Sequence, residues 1–554
     1  MTNIKQTIRE QITTAVEDAA RRCGFAPVPF AVETPRERVN GDFSANAALL
    51  LAKSAGIPPR AAADKLVGAL STEGTYIDRV EVAGPGFINF FLSNRWLYDV
   101  LPLVERLGGR YGESDVGGGE KVMVEFVSAN PTGPMHMGNA RGGALGDAMA
   151  NVLDFAGYSV TREFYLNDAG NQIEKFGCSL EARYLQLCGV DVPFHEEWYQ
   201  GGDITARAKE FLDKNGDGYV RADSETRKKA LIAFSLAENI EMMRKTLAAY
   251  RVDYDVWFRE SALYDSGEVD KVLSLLREKG YTYEKEGALW FKASGDGEKD
   301  EVLVRANGVP TYFAADIAYH RNKFLTRGFD KVIDVWGADH HGHVARMKTA
   351  MEAVGVDPDR LEIVLMQLVR LMRGGEAARM SKRSGKAITL EDLLEEIGID
   401  AARFFFNMRN AGSHFDFDLD LAVEQSNDNP VYYVQYAHAR ICAIIRLLRE
   451  EGVTVKPCGG VCLPLLTDDA ELALLRKISE FPDEITAAAK TLEPSRMTRY
   501  ASELANGFHS FYNACRVNVD DENLRDARLK LIDSARIALA NVLGILAVDA
   551  PERM

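Results

Sequence analysis

The chain of 554 residues contains no unbroken apolar run near the roughly 18 residues that a membrane-spanning helix needs. Its opening stretch carries Glu10, Glu17 and Asp18 among the apolar positions. We therefore expect neither a secretion signal nor a transit peptide there, and no membrane partner. Cysteine is scarce: the seven thiols, at 23, 178, 188, 442, 458, 462 and 515, form no framework spacing. That excludes a disulfide scaffold and fits reduced thiols in the cytoplasm. Cys458 and Cys462 alone are close, which is too few ligands for a zinc site. Internal repeats and low-complexity tracts are missing. Positive charge is short as well, with 66 Lys and Arg against 82 Asp and Glu and a net charge of −16. What remains, 46% hydrophobic and 27% charged residues, is an ordinary globular composition. The length suits about three or four domains, each able to bury a core.

Residues 1–110 combine helical periodicity (Ile4, Ile8, Ile12, Val16) with a strand-like stretch from Tyr76 to Leu92 that is broken at Gly84-Pro85-Gly86. An α+β domain is expected. Tyr111 to Glu120 carries Gly112, Gly117, Gly118 and Gly119 with little apolar content and reads as a linker. From Lys121 the pattern changes to short β-branched runs alternating with helical segments. Strands are predicted at 121–127, 159–166, 331–336 and 361–366, and helices over 139–155 and after His341. This is the pattern of a parallel, doubly wound, Rossmann-like sheet over about 111–390. Charged helical segments over about 175–300 suggest an insertion between its halves. Residues 391–425 read as a helical connection, and 426–554 as a separate all-α domain.

Two constellations carry the chemistry. The first, Glu125-Phe-Val-Ser128-Ala-Asn130-Pro-Thr-Gly-Pro-Met-His136-Met-Gly138-Asn139, lies where a strand gives way to a helix. A helix N-terminus offers unpaired N–H groups and the positive end of its dipole, which suits phosphate. Gly138 allows close approach of the backbone, and His136 and Asn139 share one face. Taken singly, this segment is more readily read as a capped helix with a buried histidine. The second, Arg379-Met380-Ser381-Lys382-Arg383-Ser384-Gly385-Lys386, is a small, polar, cationic loop. It cannot pack as core, but Lys382 and Ser381 can meet the charge that builds on a leaving pyrophosphate. By itself it is equally a solvated basic turn.

Together the two segments resemble the His-x-Gly-His and Lys-Met-Ser-Lys-Ser signatures of class I aminoacyl-tRNA synthetases. Further stretches resemble the arginyl-tRNA synthetase family. Asn40-Gly-Asp-Phe-Ser-Ala-Asn46 and Val80-Glu-Val-Ala-Gly-Pro-Gly-Phe-Ile-Asn89-Phe90 are similar to its additional N-terminal tRNA-binding domain. Tyr433-Val-Gln-Tyr436-Ala-His-Ala-Arg440, Leu524-Arg-Asp-Ala-Arg-Leu529 and the closing Pro551-Glu-Arg-Met554 are similar to its DALR anticodon-binding domain. Two positions depart from the commonest pattern: Asn139 stands where His is usual, and Arg379 where Lys is. Asn keeps a donor and Arg keeps the charge. Gly133 stands where a compensating Lys occurs in relatives whose loop lacks its second Lys, so the chain is self-consistent with Lys382 present.

The resemblance implies an arginine–tRNA ligase that uses ATP and Mg²⁺, takes L-arginine and tRNA(Arg) as partners, and is monomeric. It assigns His136, Asn139, Ser381 and Lys382 to catalysis, with Gly138, Gly337 and Met380 added for ATP. It assigns Glu125, Ser128, Asn130, Tyr312, Asp316 and His340 to arginine, with Glu125 and Asn130 at the ammonium and carboxylate end. A guanidinium is planar, forked and always charged, so a selective pocket needs carboxylates. Tyr312 and Asp316, four apart, share a helical face and match the family's guanidinium-binding pair; the plain alternative is a core tyrosine beside an exposed acid. Asp339-His340-His341-Gly-His343 invites a metal, but adjacent histidines cannot share a helical face, and no metal site is expected. Asp213-Lys-Asn-Gly-Asp217-Gly218 begins like a calcium loop, yet Ser224 occupies its twelfth position, so it reads as a turn.

Charge by region is +1 for 1–110 (13 basic, 12 acidic), −14 for 111–425 (38 and 52) and −3 for 426–554 (15 and 18). Bulk attraction cannot hold RNA, so one-sided patches and stacking must. The candidates are Asn89 and Phe90, and Tyr436, Arg440, Arg496, Arg499, Tyr500 and Arg516; each alone could equally be a solvated arginine or a core aromatic. A nucleotidyltransferase would share the first signature but not explain the helical C-terminal domain. The valine, leucine and isoleucine enzymes need an editing domain for which there is no room. An inactive RNA-binding relative would not need His136, Lys382, Glu125 and Asp316 together.

Overall fold

In a computed structural model, which describes residues 3–293, 300–378 and 388–554, the central feature is a five-stranded parallel sheet. Its spatial order is Leu361–Met366, Lys331–Gly337, Lys121–Glu125, Ser159–Leu166, Val256–Arg259. The first strand in the chain is therefore central, and Val122, Met123 and Val124 are fully buried, as a strand covered on both faces must be. Strand order reverses between Lys121–Glu125 and Lys331–Gly337. Open sheets of this kind leave a crevice beyond the carboxyl ends of the strands at such a reversal.

The Gly138–Phe155 helix crosses the sheet closely because it carries glycines where the contact is tightest. A Cβ on Gly146 would fall 2.2 Å from the Phe126 ring, and one on Gly143 3.3 Å from the Tyr250 ring. Two buried guanidiniums anchor this helix, Arg141 from within it and Arg403 from the neighbouring Ile399–Phe406 helix. Arg141 donates to the carbonyls of Gln367 (2.7 Å), Asn410 (2.9 Å) and Ser413 (3.1 Å). Arg403 donates to those of Leu546 (2.7 Å), Tyr250 and Arg251 (both 3.0 Å) and pairs with Asp147.

The expected insertion over 175–300 is divided. Helices Gly170–Leu187, Gly202–Asn215 and Ser224–Ala249 enclose their own core around Phe176, Tyr184, Phe211 and Leu231. The chain then re-enters the main sheet as Val256–Arg259, a strand too short and too closely flanked by Asp253, Asp255 and Glu260 to show a strand pattern. A three-stranded antiparallel sheet comes next at 282–304. The calcium-like stretch is a helix–turn–helix joint in which Asp223 caps Ser224–Ala249 by accepting from the Thr226 amide at 2.9 Å. The segment 391–425 is not wholly helical, since Phe415–Asp418 pairs in parallel with Val369–Arg373.

Near the N-terminus, helices Ile4–Arg22, Ala47–Ala55 and Pro59–Ala69 cover a four-stranded antiparallel sheet, with Ile8, Ile12 and Val16 fully buried. The C-terminal region is a bundle of Pro430–Glu450, Asp469–Ser479, Phe481–Thr491, Ser495–Ala514 and Glu522–Ile545. One apolar core runs through all three regions, from Ile8 to Val124 to Leu543. Tyr111, in the expected linker, is buried and donates to the Ile478 carbonyl at 2.8 Å. Among the described residues no helix is long and apolar enough to cross a membrane.

Two glycine substitutions should move stability in opposite directions. Gly146→Ala drives a methyl into Phe126 and should destabilise by about 1–3 kcal/mol. Gly507→Ala, inside Ser495–Ala514 with Leu474 at an ordinary 3.6 Å, should stabilise by about 0.5–1 kcal/mol. Thermal unfolding of both variants checks the pair.

Candidate active site

A cavity of about 750 Å³ opens at the strand-order reversal, lined by residues 127–130 and 132–136, Gly138, Asn139 and Gly142 on one side and by Val335, Gly337, Asp339 and His340 on the other. Its floor is a tight turn. Val127 (φ 69°) and Ser128 (φ 41°) are consecutive non-glycine residues in the left-handed region, and the Ser128 amide donates to the Phe126 carbonyl at 3.0 Å. Such backbone costs about 1–3 kcal/mol per residue and persists where its surroundings enforce it. Here Ser128 Oγ donates to Glu125 Oε1 at 2.8 Å and accepts from the Tyr165 amide at 3.1 Å.

The first signature ends in a self-capped helix start. The His136 amide donates to Asn139 Oδ1 (3.2 Å), and the Gly138 amide donates to His136 Nδ1 (3.1 Å). With Nδ1 accepting, the imidazole proton sits on Nε2, on an exposed ring lining the cavity. Asn139 Oδ1 is likewise committed, which leaves its Nδ2 as donor. His136, Gly138 and Asn139 thus form one donor set at a helix N-terminus.

Arg379, Met380, Ser381 and Lys382 lie outside the described residues. The chain on both sides of them is fixed. The Ala378 amide donates to the Leu371 carbonyl at 2.8 Å. Beyond the second signature, Ile388–Leu390 pairs with the first: Met137 N–H donates to the Ile388 carbonyl and Leu390 N–H to the Met135 carbonyl, both at 3.0 Å, with His136 opposite Thr389. Thr389 and Asp392 then form a capping box for Leu390–Ile397.

Beneath the cavity lies a buried ionic cluster. Lys323 Nζ, fully buried, reaches Glu125 Oε2 at 2.6 Å and Asp334 Oδ1 at 2.9 Å, and is held charged well above its ordinary range. Burial pushes Asp334 upward, but Lys323 and His320 prevail and hold it down to about 2. His320 spans Asp334 Oδ2 and the Asp316 carbonyl, each at 2.7 Å. Burial pushes Glu125 above the usual carboxylate range, with Lys323 opposing. Glu163 beside them accepts from Tyr319 (2.5 Å) and pairs with Arg327.

Tyr312 and Asp316 do share a face of Tyr312–Arg321. Tyr312 is 39% exposed and faces Gly170, while Asp316 lies 3.4 Å from His343 Nε2. Trp336 lies between His343 and His340, at ring distances of 5.5 and 6.2 Å. His343 faces Asp316 and His340 faces Asp339, so these histidines do not converge; among the described residues no three His, Cys, Asp or Glu side chains could hold a metal ion. Three features escape the sequence reading. Glu260 is buried beside Tyr165, Tyr264 and Asp316. Burial first, then Asp316 and Asp168, push it up to about 7 against the hydrogen bonds of Tyr165 and Tyr264. Lys323 is the second feature. The third is the insertion's contribution of Tyr199, Gly201 and Asp203 to the cavity wall. Glu260 directly follows the unrecognised strand, and nothing local marks the other two.

The RNA candidates do not form one surface. Phe90 is fully buried opposite Phe43 and cannot stack on a base; Phe87, three residues earlier, is 40% exposed. Asn89 accepts from Ser44 Oγ at 2.8 Å and lines a cavity of about 510 Å³ with Arg36, Asn40, Asn46 and Phe87. Tyr500 is also core, donating to the Lys477 carbonyl. Tyr436 stacks between Tyr432 (6.2 Å, 5°) and His509 (6.0 Å, 20°), and the Arg440 guanidinium lies 4.1 Å from the centre of the Tyr512 ring. Arg496 and Arg499 pair with Glu484 (3.0 and 3.6 Å) at the far end of Ser495–Ala514, roughly 20 Å along the helix from that face. Arg516 is exposed just beyond the helix. In the DALR-like stretch, Asp526 pairs with Lys456 and Arg528 with Glu471 (2.6 and 2.7 Å), a structural role.

Three family models match the chain: an arginyl tRNA synthetase N-terminal domain over residues 3–92, a class I (R) tRNA synthetase catalytic domain over 107–425, and a DALR anticodon-binding domain over 434–554. Curated arginine–tRNA ligases from Acetivibrio thermocellus and Caldanaerobacter subterraneus are each 58% identical, with 100% of both chains covered. A Campylobacter jejuni chain solved as an arginyl-tRNA synthetase is 31% identical, with a TM-score of 0.76 over 84% of this chain and 100% of that one. The Thermus thermophilus arginyl-tRNA synthetase shares the fold at 23% identity, with a TM-score of 0.75 over 99% and 100%. With its catalytic, N-terminal and anticodon-binding regions all matched, the chain belongs to the arginyl-tRNA synthetase family.

Proposed function

We propose that the chain activates L-arginine with ATP to arginyl-adenylate and pyrophosphate, then transfers arginine to the 3′ end of tRNA(Arg). The observation that carries this reading is a pair of neighbouring carboxylates, buried Glu260 and half-buried Asp316, in the same α/β region as a phosphate-suited helix start. Asp316 and Glu260, with Tyr165 and Tyr312, offer the carboxylates a guanidinium requires. Glu125 is so close to this cluster, and so committed to Ser128 and Lys323, that we assign it to shaping the guanidinium end in preference to holding the ammonium. Ser128 acts through it. Asn130 and His340, both exposed on the cavity wall, are left for the amino-acid backbone.

The arginine carboxylate attacks the α-phosphate of ATP in line. His136 Nε2–H, Asn139 Nδ2 and the helix N-terminus stabilise the charge that develops, and Lys382 and Ser381 follow it onto pyrophosphate. Gly138, Gly337 and Met380 accommodate the nucleotide. Mg²⁺, when bound, would neutralise the β and γ phosphates, and the carboxylate of Asp339, on the Gly337 side of the cavity, offers the hard oxygen it prefers. No covalent enzyme intermediate is needed. The stacked face of Tyr436, Arg440 and Tyr512 suits the unpaired bases of an anticodon loop, and the Asn89 cavity a second unpaired base. The seven unpaired thiols support a reducing, cytoplasmic setting, and a monomer is the state the resemblance implies.

Pyrophosphate exchange tests the whole reading. Exchange should depend on arginine among the amino acids and require tRNA; exchange with another amino acid would remove Asp316 and Tyr312 from the pocket. Asp316→Asn should raise the arginine KM by roughly two orders of magnitude, as expected when one member of a desolvated charge pair is lost, and leave the ATP KM within about twofold. Because Glu260 must be ionised to receive a guanidinium and titrates at about 7 without one, affinity is present above that pH and lost below it. The arginine KM should rise by up to about tenfold per unit as pH falls from 7 to 6, with the ATP KM flat over the same interval.

A further inference from the structure

The insertion's place at the cavity wall points to a task for one of its residues. Tyr199, the cavity's sole Tyr, Phe or Trp among the described residues, comes from the 188–201 loop that joins helices Gly170–Leu187 and Gly202–Asn215. The loop is irregular but anchored. The Tyr199 amide donates to Ser179 Oγ at 3.0 Å, and its ring meets buried Phe176 edge to face at 6.1 Å. The Gln200 side-chain amide donates to the carbonyls of His195 (2.8 Å) and Trp198 (3.1 Å). The Trp198 ring packs on Phe194 and His195, and the Arg183 guanidinium lies 3.7 Å from the centre of the Phe194 ring. Nothing among the described residues hydrogen-bonds the Tyr199 hydroxyl, while the ring behind it rests against Phe176.

The two ends of the cavity differ. Gly337, His340, Met366 and Leu368 come from the Lys331–Gly337 and Leu361–Met366 strands and the residues just beyond their carboxyl ends, on one side of the central strand. Tyr199, Gly201 and Asp203 come from chain that leaves the sheet after Ser159–Leu166, on the other side, and Asp203 reaches Gly133 of the first signature. The His136–Asn139 donor set lies between. If the proposed reaction holds, two nucleosides must approach one carboxyl carbon: that of ATP and the terminal adenosine of the tRNA, whose ribose hydroxyl attacks the adenylate. The nucleoside of ATP takes the Gly337–Met366 end. Single-stranded ends are gripped by stacking on aromatic side chains. We propose that Tyr199 is the stacking platform for the terminal adenine of tRNA. Tyr199 is then a positioning residue for the second step.

The proposal rests on the reading of the chain as a tRNA-charging enzyme, and the test separates the two. Full-length wild type, Tyr199→Ala and Tyr199→Phe are titrated with tRNA(Arg) and with the same tRNA lacking its terminal adenosine, and the ATP KM is measured in parallel. Wild type should bind complete tRNA about tenfold more tightly than the shortened form. Tyr199→Ala should lose that preference while keeping its affinity for shortened tRNA and its ATP KM, and Tyr199→Phe should retain the preference because the ring, not the hydroxyl, makes the contact. Undiminished preference in Tyr199→Ala would overturn the proposal. So would a rise in the ATP KM with the tRNA preference intact, which would give the ring to the adenine of ATP. A wild-type protein that charges no tRNA with arginine would instead remove the reading underneath, and this assignment with it.

Discussion

The Lys323 ammonium, buried between Glu125 and Asp334, is the constraint around which the catalytic region is arranged. An ion of that size out of water is tolerable only when paired and hydrogen-bonded, and losing either carboxylate would cost several kcal/mol. Its two partners end or occupy the two strands where strand order reverses, so the ion fixes the spacing of the crevice. Lys323 also continues the helix that carries Tyr312 and Asp316, and His320 ties that helix to Asp334 a second time. The Asp316 and Tyr312 helix is thus positioned by the buried Lys323, Asp334 and His320. The strained turn at Val127 and Ser128 belongs to the same arrangement, because Ser128 holds the other oxygen of Glu125.

How much of this could be read from the sequence depended on the range of the interactions involved. Strands such as Lys121–Glu125 and helices such as Gly138–Phe155 declare themselves locally, through β-branched runs and small-residue spacing. Both signatures are contiguous, and so can be recognised by resemblance, although the turn that precedes the first cannot. The Lys323–Glu125 pair joins residues 198 positions apart, and no local pattern announces it. Glu260 was hidden because four strand residues among charges carry almost no periodicity, which dissolved a sheet strand into an apparent insertion. Phe90 and Tyr500 failed for a different reason. An aromatic in an amphipathic element is core or surface according to which face it occupies, and each lies on the inward face.

The acidity of the chain becomes intelligible once charge is followed residue by residue. Some arginines are spent internally: Arg141, Arg403 and Arg227 satisfy carbonyls or carboxylates inside the fold, and Arg496 and Arg528 are paired with acids. On the proposed reading, RNA would meet aromatic surfaces reinforced by a few cations, such as Arg440 over Tyr512, in place of a broad positive field. Recognition of this kind favours unpaired bases over duplex, in keeping with a protein that handles the loops and the end of its RNA.

Three separately recognisable regions invite the thought that the chain is an assembly of exchangeable parts, and Arg403 says otherwise. Its guanidinium stands in the catalytic region, yet one of its carbonyl partners belongs to Leu546, at the end of the last helix. Asn151 of the signature helix likewise donates to the Ile545 carbonyl, and Asn541 donates back to the carbonyls of Gly108 and Tyr111. A catalytic fragment cut free of the bundle would keep a buried cation with an acceptor missing, and a bundle cut free would bare apolar surface that the sheet region now covers. Evolutionary exchange of the anticodon-reading end would need matching changes beneath the signature helix. The junction is a single unit of packing, and its residues belong to neither part alone.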